Sequence, residues 1–288
     1  MTHSIITILG TAQDGGIPHP NCFCENCTNA IRDPAFKRNA ASLAIILPEE
    51  NKWHLIDATP DLKEQLARLQ IKHSLQGNIM ESIFLTHAHV GHYPGLLFLG
   101  RETMNTDTIP VFAGEKMKNL LEQNNPWSQL TELKNIRVKK IADGQLLPIS
   151  DRIIVKPIAV PHRNEFSETF GFWIEGSNKK VLYIPDIDRW DEWDINIYDA
   201  CMEADICLLD GTFYAEKELQ HIHRDFHEIP HPLMTETMNR LQDLTSKTEI
   251  FFTHFNHSNP AIHADGKVKE EIEGRGFKIA VEGMEIII

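Results

Sequence analysis

The 288-residue chain lacks any apolar run that approaches the roughly 20 residues needed to span a bilayer, which argues against a membrane protein. Basic residues are in short supply, because 28 Lys and Arg stand against 41 Asp and Glu and leave a net charge of −13. Such an acidic surface repels phosphate backbones, so a nucleic-acid partner is not expected. The first ten residues are too short and too polar at their flanks for a secretory signal. We therefore expect a cytoplasmic protein.

Cysteine is scarce and odd in number, since the chain contains five, so a framework of paired disulfides is not expected. Three of the five form a cysteine cluster, Cys22, Cys24 and Cys27, within six residues. In a reducing compartment this spacing favours a metal site over disulfide bonds. The three thiolates leave a closed structural zinc site one ligand short, because such a site takes four.

The fourth ligand of the cysteine cluster must come from elsewhere in the chain. Cys201 and Cys207 lie far away in apolar segments and are interpreted as small buried hydrophobic residues. The remaining candidates are His19 and His257.

Short apolar runs alternate with polar helical stretches along residues 1–288, without repeats or a long linker. The branched and aromatic content of these runs favours strands over helices. The order of elements favours one α/β domain built as a layered αββα sandwich. Strands are predicted within 1–10 and at 42–47, 53–56, 82–85, 109–112, 152–159, 170–174, 180–184, 206–209, 249–252 and 277–281. Helices are predicted at 61–69, 93–99, 115–124, 232–244 and 266–275, and Asp61, Ser128 and Thr131 are predicted N-caps.

The strongest chemical signal is a histidine cluster, His87, His89 and His92, directly after the predicted strand 82–85. Histidines two positions apart on an extended turn can face one metal ion, and a third at the start of a helix can reach a neighbouring ion. Neutral imidazole is a favoured ligand of zinc and iron. Packing does not readily explain three histidines in six residues, so the cluster predicts a metal centre, with exposed loop histidines as the alternative.

Further candidate ligands follow the ends of predicted strands, namely His162, Asp186 and His254. Each one alone is more typical of a cap or a surface group. Together they repeat one design, in which a rigid strand delivers a ligand into a shared cleft. Asp57 also ends a strand and is interpreted as an acceptor that orients a ligand histidine, with a turn-capping aspartate as the alternative.

The histidine cluster resembles the His-x-His-x-Asp-His signature of metallo-β-lactamase-fold hydrolases, and the strand-end residues follow in the order of that superfamily. The resemblance implies a four-layer αββα sandwich whose cleft, at the edge of two packed sheets, holds one or two metal ions. Segments 10–18, 209–213, 256–260 and 282–286 are similar to the protein B family of pyrroloquinoline-quinone (PQQ) biosynthesis. The cysteine cluster and the pair His254 and His257 also resemble the cyclic phosphodiesterases of phosphonate breakdown, the PhnP branch.

The resemblance also implies ligand sets for the metals. A first active-site ion would be held by His87, His89 and His162, and Asp186 would bridge to a second ion held by His92 and His254. By analogy with the phosphodiesterase branch, His257 would complete one structural zinc site with the cysteine cluster. Zinc is the expected metal, with iron or manganese as alternatives in the active site.

Gly91 departs from the superfamily motif, which has an aspartate at this place. In dinuclear members that carboxylate binds the second metal and helps to position the attacking water. Without it the second site has less negative charge to hold a dication, so a mononuclear or weakly loaded centre is one expectation. His231 or His223 could fill the gap as a spare ligand.

Three functions are compatible with these residues. The first is a metallo-hydrolase of an ester, peptide or phosphodiester, in which a metal activates water, Asp186 holds the metals, and Asp210 or His231 moves a proton. The second is a non-haem-iron oxygenase that hydroxylates a peptide-derived tyrosine in quinone-cofactor biosynthesis. The third is a cofactor carrier without catalysis. Each takes a small-molecule or peptide-derived partner, and a homodimer stays open as the assembly.

Overall fold

A computed structural model describes residues 3–75, 77–221 and 230–288 and places two β-sheets face to face. The strands of the first sheet are β1 (Ile5–Gly10), β2 (Ser42–Leu47), β3 (Lys52–Ile56), β4 (Ser82–Phe84), β5 (Ile109–Ala113), β6 (Ile136–Lys140) and β14 (Glu285–Ile287). Their order across the sheet is β14-β1-β2-β3-β4-β5-β6. The pairs from β3 to β6 are parallel, so these strands end at one edge.

The second sheet follows the same plan. Its strands are β7 (Leu147–Pro148), β8 (Ile154–Ala159), β9 (Phe170–Glu175), β10 (Lys180–Ile184), β11 (Ile206–Asp210), β12 (Glu249–Thr253) and β13 (Lys278–Ile279). Their order is β13-β12-β11-β10-β9-β8-β7, and the pairs from β10 to β13 are parallel. The carboxyl ends of β10, β11 and β12 therefore meet at a common edge.

Helices connect the strands, and several of them pack on the sheets. They are α1 (Glu25–Arg32), α2 (Leu62–Lys72), α3 (Glu115–Gln123), α4 (Trp127–Glu132), α5 (Ile197–Met202), α6 (Glu216–His221), α7 (Met234–Leu241) and α8 (Lys267–Gly274). Leucines of α2 and α3 pack on the first sheet, and methionines of α7 pack on the second. A third apolar core, with Phe84 and Phe172 in edge-to-face contact, lies between the sheets. These layers confirm the predicted αββα sandwich.

Several local predictions were wrong for identifiable reasons. The segment predicted as a helix at 93–99 is a 3₁₀ helix, Pro94–Leu99, in which a side chain at Gly95 would come within 2.2 Å of the Thr59 carbonyl oxygen. Ser128 and Thr131 lie inside α4 rather than at an N-cap. Asp61 is the N-cap residue of α2, as predicted, although its side chain makes no capping hydrogen bond and its Oδ2 accepts from the Ala40 backbone N–H.

None of the helices in the described part of the chain combines the length and the apolar character that a bilayer span requires. Cys201 and Cys207 are both buried in the core under the second sheet, as their apolar sequence context indicates.

His54 is a buried titratable residue in β3, away from the strand ends. It is 5% exposed, and its Nδ1 lies 2.8 Å from the Ser82 hydroxyl. Burial lowers the pKa of His54 to about 4, and nearby Lys52 acts in the same direction. Because a histidine in an unfolded chain titrates near 6.5, folding favours the neutral ring. Stability is therefore lost as the pH falls from about 6.5 towards about 4.

We expect the pKa shift of His54 to lower the free energy of unfolding by on the order of 1–2 kcal/mol when the pH falls from about 7.5 to about 5. His54→Gln removes the titrating group and keeps a hydrogen-bonding partner for Ser82. Urea unfolding at both pH values should then show a smaller drop in unfolding free energy than in the wild type. His3→Gln, which alters an exposed histidine, should retain the wild-type drop. Equal drops for His54→Gln and wild type would contradict this assignment.

Candidate metal centre

The candidate ligands converge where strands of both sheets end. Asp57 and the histidine cluster follow β3 and β4, and His162 follows β8. Asp186 follows β10 and His254 follows β12. Since parallel strands in one sheet end at the same edge, the fold brings these side chains to one place. A backbone hydrogen bond of 3.0 Å from Phe170 N to Thr86 O joins the two sheets beside this place.

Asp186 is the centre of the arrangement and is 2% exposed. Six histidines point a ring nitrogen at its carboxylate. Oδ1 lies 3.1 Å from His162 Nε2 and 3.4 Å from His231 Nδ1, and Oδ2 lies 3.3 Å from His87 Nε2, 3.5 Å from His254 Nε2, 3.8 Å from His92 Nε2 and 4.0 Å from His89 Nδ1. Burial alone would raise the pKa of Asp186, but its histidine neighbours, His162 first, hold that pKa well below the usual range.

Four of these histidines are anchored through Nδ1, which turns Nε2 towards Asp186. The anchors are Thr86 Oγ1 for His87 at 3.0 Å, Asp57 Oδ2 for His92 at 2.8 Å, Asp188 Oδ1 for His162 at 2.8 Å and Thr212 Oγ1 for His254 at 3.0 Å. Such anchoring fixes the tautomer and the ring orientation of a metal ligand. Nε2 of His87, His92 and His254 is buried and has no hydrogen-bond partner among the described residues. Buried nitrogens of this kind are rare unless a ligand satisfies them.

The ligand atoms fall into two groups of four that share Asp186. Within each group all four atoms lie within 4.8 Å of one another. The groups are His87, His89, His162 and Asp186, and Asp186, Asp210, His231 and His254. The first matches the ligand set predicted for the first ion. The second contains Asp210 and His231 rather than His92, whose Nε2 nevertheless faces Asp186. Both sets offer the nitrogen and oxygen donors that zinc prefers.

Asp57 lies behind the ligands, where an orienting residue is expected. Its Oδ2 contacts His92 and accepts from the Thr86 hydroxyl at 2.9 Å, while Oδ1 accepts from Thr86 N at 2.8 Å. Asp57 is fully buried and adopts a left-handed backbone with φ of +65°, and His254 does so with φ of +61°. Both strand exits are therefore bent sharply, which turns the side chain into the centre.

His231 and Asp210 form a buried pair beside Asp186. Asp210 Oδ2 lies 2.8 Å from His231 Nδ1 and accepts from Ile187 N at 3.2 Å, and Oδ1 accepts from Thr212 N at 2.9 Å. Burial opposes protonation of His231, but Asp210 and Asp186 outweigh it and raise the pKa of the ring. Asp210 therefore contacts His231 directly, and His231 lines the cleft.

The cysteine cluster meets His257, not His19. His257 Nδ1 lies 3.3 Å from Cys22 Sγ and 3.5 Å from Cys24 Sγ, and the four ligand atoms including Cys27 Sγ are mutually within 4.8 Å. His19 lies alongside. Its backbone N–H donates to Cys27 Sγ at 3.2 Å, and its Nδ1 lies near the Pro20 carbonyl oxygen. Burial raises the pKa of Cys27 to about 12, so a bound cation is needed for this sulfur to become a thiolate near neutral pH.

An open cleft of about 660 Å³ lies above the centre. His89, His162 and His231 form part of its floor, and Asp14, Asn256 and His257 form part of its wall. The same loop after β12 therefore contributes His254 to the centre and His257 to the cysteine cluster. A substrate in the cleft would contact residues next to both sites.

Sequence reasoning missed the anchors Asp188, Thr86 and Thr212. Asp188 could have been found from its position two residues after Asp186, where an extended chain points both side chains the same way. Thr86 and Thr212 carried no signal of their own, because a lone threonine after a strand is common. His223 lies outside the described residues.

Residues 52–255 match the family described as the β-lactamase superfamily domain. The chain belongs to the β-lactamase superfamily. The matched stretch begins at β3 and ends just after His254, so it contains the two groups of ligands around Asp186. The cysteines of the cluster lie before it.

Within the superfamily the chain is similar to coenzyme PQQ synthesis protein B (PqqB). The protein of Nitrosococcus oceani is 26% identical over 317 residues, which cover 99% of this chain and 100% of that protein. The protein of Rhizobium meliloti is 28% identical over 306 residues, which cover 98% and 97%.

Solved structures share the fold. Zinc-bound PqqB from Methylobacterium extorquens has a TM-score of 0.82 at 23% identity, over 99% of this chain and 100% of that chain. A diphosphatase from the PhnP family has a TM-score of 0.73 at 20% identity, over 100% and 98%. At these identities the likeness establishes the metallo-β-lactamase fold alone.

We expect Cys24→Ser to remove about one zinc ion per chain and to lower the thermal midpoint by several degrees, because a structural metal adds its binding energy to folding. Elemental analysis and calorimetry would measure the two effects. Cys201→Ala, which alters a buried thiol outside the cluster, should keep the full zinc content. Undiminished zinc in Cys24→Ser would show that the cluster is not a metal site.

Proposed function

We propose that the chain is a metal-dependent hydrolase that acts on an ester, peptide or phosphodiester bond through a metal-activated water. One observation carries this proposal: buried ligand nitrogens without hydrogen-bond partners converge on Asp186 below an open cleft. Most buried side-chain nitrogens have hydrogen-bond partners. His54 Nε2 in β3 also lacks one among the residues that the structure describes, but it stands alone, whereas the Nε2 atoms of His87, His92 and His254 face one carboxylate. A centre placed at the floor of a cleft is accessible to a substrate, as a catalytic metal requires.

The donor set suits a divalent ion, and Zn²⁺ is the first choice in one or two active-site positions, with iron or Mn²⁺ as alternatives. An ion held there supplies Lewis acidity, which activates water near neutral pH and polarises the bond to be cleaved. His87, His89 and His162 would hold the first ion with Asp186. Asp186 also belongs to the neighbouring group, and its Oδ2 lies 3.5 Å from His254 Nε2.

His231 is assigned the proton transfer. Asp210 fixes Nδ1 of His231, so Nε2 is left for the cleft. The two carboxylates near the ring favour its protonated form. A protonated imidazole beside the reacting bond can give its proton to the leaving group as that group departs.

We expect His231→Gln to lower kcat by about 10²–10⁴-fold on substrates with a poor leaving group, since general-acid catalysis is worth about that much. The loss should be much smaller for nitrophenyl esters, whose leaving group needs no proton. Asp210→Asn should also lower kcat on both classes of substrate, because it misorients His231. Metal content is measured beside the kinetics, because His231 also belongs to the second group of candidate ligands; a proton-transfer role predicts the wild-type content. An equal loss on both classes of substrate would contradict the proton-transfer role.

A second candidate is supported by the relatives, since those compared above are PQQ synthesis proteins. A histidine and carboxylate centre also suits non-haem iron, so this chain could hydroxylate a peptide-derived tyrosine in quinone-cofactor synthesis. The departure at Gly91 keeps a third option, a cofactor carrier without turnover. Oxygen uptake by the anaerobically purified iron form, with a tyrosine-containing peptide, would favour the second candidate. Tight quinone binding without turnover would favour the third.

His89→Ala tests whether the centre binds metal at all. Protein purified without added metal should lose its active-site ion in the variant, because one of four ligands of the first group is gone, and keep about one zinc on the cysteine cluster. Hydrolysis of a chromogenic ester or phosphodiester should fall in parallel. Elemental analysis of both proteins is the measurement. The same metal content in variant and wild type would count against the assignment of His89.

A further inference from the structure

Gly91 stands where the superfamily motif has an aspartate, and the structure gives a reason for the glycine. A Cβ at position 91 would lie 2.6 Å from the Cα of Asp14 and 3.0 Å from its backbone nitrogen. Atoms of this kind do not approach so closely, and a backbone cannot yield as a flexible side chain can. The motif aspartate therefore cannot be built here while the first turn of the chain holds its position.

The residue that excludes a side chain at 91 is itself an aspartate. Asp14 Oδ1 accepts from Gly91 N at 2.9 Å and lies 2.7 Å from the place that a Cβ at 91 would take. Asp14 also lines the cleft above the centre. A carboxylate is thus present where the side chain of residue 91 would begin, although it comes from a distant part of the sequence.

The turn that carries Asp14 is held to the same segment that delivers His254. Gln13 N donates to Phe255 O at 2.9 Å, and Gly16 N closes the turn on Gln13 O at 2.9 Å. Gly16 has φ of +67°, a left-handed conformation that glycine adopts without strain. The carboxylate position is fixed by backbone contacts on both sides, so it is a built feature of the cleft.

Asp14 lies beside the metal ligands. Its carboxylate is bonded to the backbone of Gly91, the residue before His92, and Asp14 shares the lining of the cleft with His89 and His162. A negative charge in this position would stabilise a cation bound by the neighbouring rings.

We propose that Asp14 supplies the carboxylate that the motif lacks at Gly91 and stabilises a second ion held by His92, His254 and Asp186. Asp14 is a positioning residue in this proposal, because its charge acts on the ion from beside the ligands. The inference rests on the proposed metal centre and adds to it a dinuclear state that the motif alone does not predict.

The test compares wild type with Asp14→Asn, which keeps an acceptor for Gly91 N and removes the charge. Asp151→Asn, at an exposed aspartate remote from the centre, is the charge-matched control. Each protein is loaded with Zn²⁺ and dialysed against a graded chelator series, and bound zinc is counted. We expect the second active-site ion to be lost at about 10–100-fold lower chelator strength in Asp14→Asn only, as is typical when a supporting carboxylate is removed.

Cobalt spectra and a second variant separate charge loss from misfolding. Co²⁺ substituted at the second position should lose its absorption band in Asp14→Asn, with a thermal midpoint near that of wild type. Gly91→Ala should lose the same ion, because its Cβ would displace the Asp14 turn.

The outcomes distinguish the two proposals. Wild type that carries no active-site ion would overturn the proposed function together with this inference. Wild type with a single active-site ion, or Asp14→Asn with unchanged affinity for two, would overturn only the role of Asp14.

Discussion

A buried carboxylate surrounded by imidazoles is the interaction on which the structure of the centre depends. Asp186 is removed from water, and the neighbouring histidines, His162 first, hold its pKa low; the pKa values of His162 and His231 are raised in turn, which favours protonated rings beside the carboxylate. An isolated charge in such a place would cost several kcal/mol. The neighbouring rings follow strands of both sheets. The contacts of Asp186 therefore form only when the two sheets stack with their strand ends aligned. The centre and the sandwich are therefore specified together.

The interior of the fold could be predicted closely from the sequence, and its margins could not. Strands β2 and β10 are buried along almost their whole length and therefore form continuous apolar runs with clear ends. The edge strands β6, β7 and β14 were missed, and β13 was predicted too long. An edge strand is short and has one exposed face, so β6 alternates Ile136 and Val138 with charged residues and shows no apolar run. The number of layers was predictable because it follows from the interior strands.

The candidate ligands could be predicted by chemistry, but their grouping could not. Histidines and cysteines crowded into a few residues are visible in a sequence whatever the fold. Which of them meet depends on how strand ends align in space. Asp210 and His231 therefore join Asp186 and His254 in one group of four, while His92 faces Asp186 at 3.8 Å from outside that group. Asp188 and Thr212 became recognisable only as partners of His162 and His254. Asp14 is the extreme case, since 77 positions separate it from Gly91.

The left-handed backbone at Asp57 and His254 limits how far natural selection or protein engineering can improve heat tolerance at these sites. A non-glycine residue in such a conformation stores strain of about 1–3 kcal/mol. Glycine would relieve the strain but would delete the side chain that the bend exists to present. A stabilising substitution of the kind that succeeds at many ordinary turns is therefore not available at these two positions. The folding free energy that offsets this strain must come from the three apolar cores. Mutations that weaken the cores should therefore distort the centre before the whole chain unfolds.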